Sequence, residues 1–101
     1  MPTLIADNQK RIAEICREHG VRRLDVFGSV IRDDFDPARS DVDLLVEFEA
    51  GTKPSLREYF ELRDALEALL GRPVDLVMAG AVRNRYIKAD IEATRQTIYA
   101  A

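Results

Sequence analysis

Residues 41–48, Asp-Val-Asp-Leu-Leu-Val-Glu-Phe, constrain this chain more than any other stretch. Val42, Leu44, Val46 and Phe48 recur at every second position, the period of a strand with one buried face. The same period turns Asp41 and Asp43 to the opposite side, with Cα atoms about 6.6 Å apart at ~3.3 Å rise per residue. Adjacent carboxylates repel, and a divalent cation relieves that repulsion because hard cations take oxygen ligands. The strand therefore needs a core on one face and an open, cation-accessible edge at its beginning.

The rest of the chain supplies partners for that strand. Leu4, Ile5, Ile12, Ile15 and Cys16 favour one face of a helix over residues 3–18, which Gly20 is placed to end. Residues 24–27 read as a short apolar strand stopping at Gly28, and residues 30–40 as a loop or helical turn broken by Asp36-Pro37. After a turn at 51–54, Ser55-Leu56-Arg57-Glu58 is a capping box that opens a helix through Leu70, closed by Gly71. Residues 73–78 form a second clear strand. A last helix is expected over 81–94, with Val82, Tyr86, Ile87 and Ile91 as its apolar stripe, and 97–99 adds a short edge strand. The order is helix, strand, strand, helix, strand, helix. The expected fold is α/β (α+β), a small twisted mixed sheet with helices packed on it. The first two strands are joined only by a loop and so can be antiparallel.

At 101 residues a single domain spanning 1–101 is expected. Apolar residues make up 47% and charged residues 33%, which excludes a disordered chain. No apolar run reaches the ~20 residues of a membrane span, and the first residues do not form a secretory signal. Cys16 is the single cysteine, so no internal disulfide is available, and a cytoplasmic setting is expected. It reads as a packed core residue. The net charge of −3 disfavours direct binding to a phosphate backbone, but not a nucleotide held through metal ions.

Asp75 lies between Val74 and Leu76 in the second clear strand. If that strand lies beside the first, Asp75 completes a set of three acids with Asp41 and Asp43. Three carboxylates, Mg²⁺ and a polyphosphate are the ingredients of phosphoryl or nucleotidyl transfer. Gly28-Ser29 then fits a phosphate contact. Glycine allows close approach to the backbone, and Ser29 offers an amide and a hydroxyl.

Gly28-Ser29, Asp41-Val42-Asp43 and Asp75 together resemble the signature of the DNA polymerase β nucleotidyltransferase superfamily, and more narrowly its minimal nucleotidyltransferases. The resemblance covers nearly the whole chain, including "RLDVFGS", "SDVDLLVEF" and "LLGRPVDLV". It implies a minimal polymerase β-like fold. It also implies that Asp41, Asp43 and Asp75 are catalytic metal ligands for Mg²⁺, with two ions expected. Gly28 and Ser29 would hold the triphosphate of ATP, and Arg32 would pair with a phosphate. Two departures fall between these motifs. The spacer from Ser29 to Asp41 is one residue longer than the usual ten, and Asp33 replaces the glycine that commonly follows the arginine.

Members of that group act as antitoxins to HEPN-domain ribonuclease toxins. The implied activity is Mg²⁺-dependent transfer of AMP from ATP to a tyrosine hydroxyl of a cognate HEPN toxin, with a hetero-oligomer of the two chains. The chain adds almost nothing to a catalytic core, so its acceptor is expected to bring its own docking surface. The alternative is a non-catalytic antitoxin that neutralises its partner by binding. A small-molecule nucleotidyltransferase, acting for instance on an aminoglycoside, ranks lower, because such enzymes usually need a further domain.

Other features have plainer readings. Asp33, Asp34 and Asp36 read as a solvated acidic surface. A calcium loop starting at Asp34 fails, since Arg39 and Leu45 occupy the required Gly and Glu positions. His19 suits a helix C-terminus. Arg83, Arg85 and Lys88 read as a solvated face, and Tyr59, Phe60 and Tyr86 as core or interface residues.

Overall fold

The computed structural model describes residues 3–28, 31, 41–51 and 55–101. Of the residues singled out above, Ser29, Arg32, Asp33, Asp34 and Asp36 lie outside the described residues, as do most of the 30–40 segment and positions 52–54 of the turn.

The leading helix is two helices, α1 (Thr3–Ala6) and α2 (Gln9–Glu18), rather than one. Asn8 is the cause. Its side-chain amide donates to the Leu4 carbonyl at 2.8 Å, while its backbone N–H turns to Ile5 at 3.1 Å. A short amide side chain that competes for backbone carbonyls interrupts a helix in this way. Apolar periodicity continues across the break, so the pattern alone could not reveal it. At the other end His19 places Nδ1 2.8 Å from the Ile15 carbonyl, and Gly20 follows at φ +68°.

The first strand, β1, runs Val21–Phe27, three residues longer at its start than the apolar run suggests. Arg22 and Arg23 are accommodated because each finds an acid. Arg22 reaches Glu47 at 3.1 Å across the sheet, and Arg23 reaches Asp25 at 3.0 Å. Strand β2 (Val42–Phe48) pairs antiparallel with β1. Helix α3 (Leu56–Leu70) is capped as expected, with the Ser55 hydroxyl accepting from the Glu58 N–H at 3.2 Å and Gly71 left-handed at φ 70°. It crosses over to β3 (Val74–Met78), which lies parallel to β2. A short 3₁₀ turn, Ala79–Ala81, leads to α4 (Arg85–Thr94) and β4 (Gln96–Ala100), antiparallel to β1. The sheet order is β3-β2-β1-β4, a mixed sheet.

The two sheet faces differ. One face carries Leu24, Val26, Val42, Leu44, Val46, Val74 and Leu76 against Ile12, Ile15 and Cys16 of α2 and Leu62, Leu66 and Leu70 of α3. Burial there pushes the Cys16 thiol up to about 12, with Arg17 pulling weakly the other way. The other face holds a smaller cluster, Phe27 and Leu45 with Val82 and with Ile91 of α4. Val82 precedes α4, which begins only at Arg85, so the expected stripe is divided. Tyr86 is 72% exposed and Ile87 42% exposed. Tyr86 is therefore not a core residue, because Asn84 starts the helix later than the apolar pattern does, its Oδ1 accepting from Tyr86 and Ile87. Among the described residues no helix is long and apolar enough to cross a membrane.

Candidate active site

Asp43 and Asp75 come together on the α4 face of the sheet, near the end where β2 and β3 begin. The alignment of these two strands is set locally. Gly71 ends α3, the Val74 N–H donates to the Glu67 carboxylate at 2.9 Å, and the Pro73 carbonyl accepts the Val42 N–H at 3.0 Å. These contacts put Asp43 and Asp75 in register as direct partners. Paired residues on neighbouring strands face the same way about 4.8 Å apart. Val42, Leu44, Val74 and Leu76 are buried on the opposite face, while Asp43 is half-buried and Asp75 exposed. Asp41 is exposed and stands just ahead of the first residue of β2.

Gly28 comes from the end of β1. Phe27 pairs with Asp43 across the β1–β2 ladder, so the next residue turns beside that carboxylate. Gly28 has φ +77°, and a Cβ built on it would lie 2.5 Å from Asp43 Oδ2. Only glycine satisfies both the left-handed backbone and that separation. The group packed against the missing Cβ is the Asp43 carboxylate, and the Gly28 N–H already donates to Thr94 Oγ1 at 2.8 Å.

Among the described residues no three His, Cys, Asp or Glu side chains are gathered tightly enough to enclose an ion. The donor set still fits magnesium. Its oxygens are hard donors, and Mg²⁺ is ordinarily held by one or two carboxylates together with substrate phosphates rather than by a closed protein cage. Asp43 and Asp75 are the two that the ladder brings together.

Near Asp75, the Tyr59 hydroxyl donates to the Leu76 carbonyl. Burial, then the Asp75 charge, hold that phenol above its usual range, and Arg63 partly offsets them. This anchors β3 from the edge of the sheet. A cavity of about 420 Å³ lies further along the same face, lined by Arg23, Leu45, Glu47 and Lys88 among others, and does not include the acids.

Sequence reading passed over four residues around the site. Asp25 is 1% exposed and takes Arg23 on Oδ1 at 3.0 Å and the Arg95 Nε on Oδ2 at 2.8 Å. Asp90 Oδ2 lies 3.5 Å from the position a Gly28 Cβ would occupy, and Thr94 receives the Gly28 N–H. An acid amid strand residues, and a polar i, i+4 pair flanking buried Ile91, were the available signals. Neither identifies its partner without the fold.

The α4-covered mixed sheet, with paired acids under a glycine turn, is the architecture of a nucleotidyltransferase. The chain belongs to the nucleotidyltransferase domain family, whose model matches residues 9–98. It is 42% identical over 86 residues to a Thermococcus cleftensis protein named protein adenylyltransferase MntA, covering 85% of this chain and 81% of that one. A solved structure provisionally described as a minimal nucleotidyltransferase is 34% identical, with a TM-score of 0.72 over 90% of this chain and 89% of that one. A chain in a solved complex of tri-AMPylated Shewanella oneidensis HEPN toxin with MNT antitoxin superposes with a TM-score of 0.67. That match covers 96% of this chain and 73% of the other, at 18% identity, and shows the fold alone.

Proposed function

We propose that this nucleotidyltransferase transfers AMP from ATP to a tyrosine hydroxyl of a cognate HEPN ribonuclease toxin, with which it assembles as an antitoxin. The observation that carries the reading is the register pairing of Asp43 with Asp75 beneath the Gly28 turn. The 42% identity to protein adenylyltransferase MntA supports a protein acceptor, and the tri-AMPylated toxin in the superposing complex supports its class.

Asp41, Asp43 and Asp75 would hold magnesium, with Gly28, Ser29 and Arg32 at the triphosphate. When bound, the metal supplies neutralisation of phosphate charge and lowers the acceptor hydroxyl's pKa. The acceptor oxygen bonds to the α-phosphorus as the bond from that phosphorus to the β-bridging oxygen breaks, and pyrophosphate leaves. Asp75, the most exposed acid of the register pair, receives the hydroxyl proton. Asp43, fixed against Gly28, keeps the reacting end of the site in place. An AMP group on the toxin adds bulk and negative charge that oppose RNA entry.

The test is incubation with α-labelled ATP, Mg²⁺ and the cognate HEPN toxin. Label should appear on a toxin tyrosine, and Asp43→Ala should lower it by about a hundredfold or more, since even the outer-shell partners of a metal site are worth about 10–100-fold. An unlabelled toxin that is nevertheless neutralised equally by wild type and by Asp43→Ala would leave neutralisation by binding as the function.

A further inference from the structure

We propose that Thr94 is a positioning residue of the nucleotidyl-transfer site, holding the Gly28 turn against Asp43 from the last turn of α4; the proposal rests on the functional reading above. The Thr94 hydroxyl accepts the Gly28 N–H at 2.8 Å and donates to the Asp90 carbonyl at 2.6 Å. The polarity is unambiguous. A backbone N–H can only donate and a carbonyl can only accept, so the hydroxyl proton must point to Asp90. Both bonds are within ordinary hydrogen-bond length, and Gly28 is buried, so its N–H has no ready exchange for water.

What Gly28 carries makes this bond more than a tether. Asp43 Oδ2 and Asp90 Oδ2 stand 2.5 and 3.5 Å from the same point, the place of a Gly28 Cβ. Gly28 is thus the meeting point of β1, Asp43 and α4. A shift of the turn by a few tenths of an ångström is transmitted directly to the Asp43 carboxylate. The last turn of α4 is itself fixed from both sides. Ile91 is buried with Phe27 and Leu45, and Arg95, immediately after the helix, binds buried Asp25. The helix end is therefore a rigid post, and Thr94 is its contact with the site.

The experiment compares wild type with Thr94→Val, Thr94→Ala and Thr94→Ser. AMP transfer to the toxin is followed at saturating ATP, with thermal melts confirming folding at the assay temperature. Gly28 amide exchange is measured separately by NMR in ligand-free protein. Thr94→Val and Thr94→Ala should lower kcat on the order of tenfold, because misplacing reacting groups by a fraction of an ångström is costly. The half-saturating Mg²⁺ concentration should rise several-fold, about in proportion to the disturbed Asp43. KM for the toxin should stay within about twofold, and Gly28 exchange should accelerate. Thr94→Ser keeps the hydroxyl and should remain within about twofold of wild type in every readout. Should Thr94→Val not fold, Thr94→Ala and Thr94→Ser decide. The proposal is overturned if folded hydroxyl-less variants keep wild-type kcat and Mg²⁺ dependence, or if Thr94→Ser loses as much as Thr94→Ala. If wild type transfers no AMP, the functional reading fails instead. A fast-exchanging Gly28 amide in wild type would refute the Thr94 contact itself.

Discussion

Gly28 and the Asp43 carboxylate are packed closer than any other residue type would permit, with 2.5 Å between Asp43 Oδ2 and the point where a Cβ would stand. The backbone adds a second demand, a φ of +77°, which L side chains rarely adopt. Gly28→Ala should therefore cost stability twice, by about 1–2 kcal/mol for the backbone conformation and further for the displaced carboxylate. Urea denaturation should show the lower midpoint, and AMP transfer by the folded fraction should fall with it.

Asp75 is expected to behave in the opposite way. It is exposed and sits beside Asp43, so replacing it removes little packing from the folded state. Asp75→Asn should leave the melting temperature unchanged or slightly raised in the absence of Mg²⁺, while AMP transfer falls about a hundredfold or more. A structural acid would show the reverse, lost stability with retained turnover.

Asp25 is that structural case. It is buried and joins Arg23, from its own strand, to Arg95 at the end of α4. Asp25→Asn should destabilise the protein by about 1–3 kcal/mol, since bonds to charged groups are lost inside the fold. Because the two arginines are 42% and 37% exposed, water can take over part of their solvation and the loss should stay within that range. Chemical denaturation of the two proteins checks it.

Cys16 gives a pH signature. Its thiol rises from 9.0 to about 12 on folding, chiefly through burial. The unfolded chain then loses its thiol proton at lower pH than the folded one. The folded state's advantage from this group is complete below about pH 9 and is lost as the pH climbs from there towards 12. The stability difference between wild type and Cys16→Ala should narrow over that window when urea midpoints are compared pairwise. In the native protein at pH 8, a thiol reagent should react only at the rate of unfolding.

Much of this molecule follows from local pattern. Ser55 and Gly71 delimit α3 because a hydroxyl cap and a left-handed glycine act within a few residues. The alternation of Val42, Leu44 and Val46 sets the buried face of β2 and turns Asp43 to the other side, since strand period is a local property. The edge strand expected over 97–99 is β4, one residue longer at each end. Asn8 shows where pattern stops short. The residues on both sides keep a helical apolar period, and only the side-chain bond to Leu4 divides α1 from α2. Tyr86 shows the same limit, since apolar spacing cannot tell a helix that starts at Ala81 from one that starts at Arg85.

The sequence by itself determined which positions carry carboxylates, which glycine precedes the Ser29 position and which strand faces are apolar. Tertiary structure alone decided that Asp75 stands beside Asp43, because the register of β3 against β2 depends on Glu67, Pro73 and Val42 meeting across the α3 crossover. It also decided that Asp25 finds Arg95 and that Gly28 finds Thr94, partners 70 and 66 residues away. Contacts at such separations are selected by the packing of whole elements, and no short-range propensity encodes them.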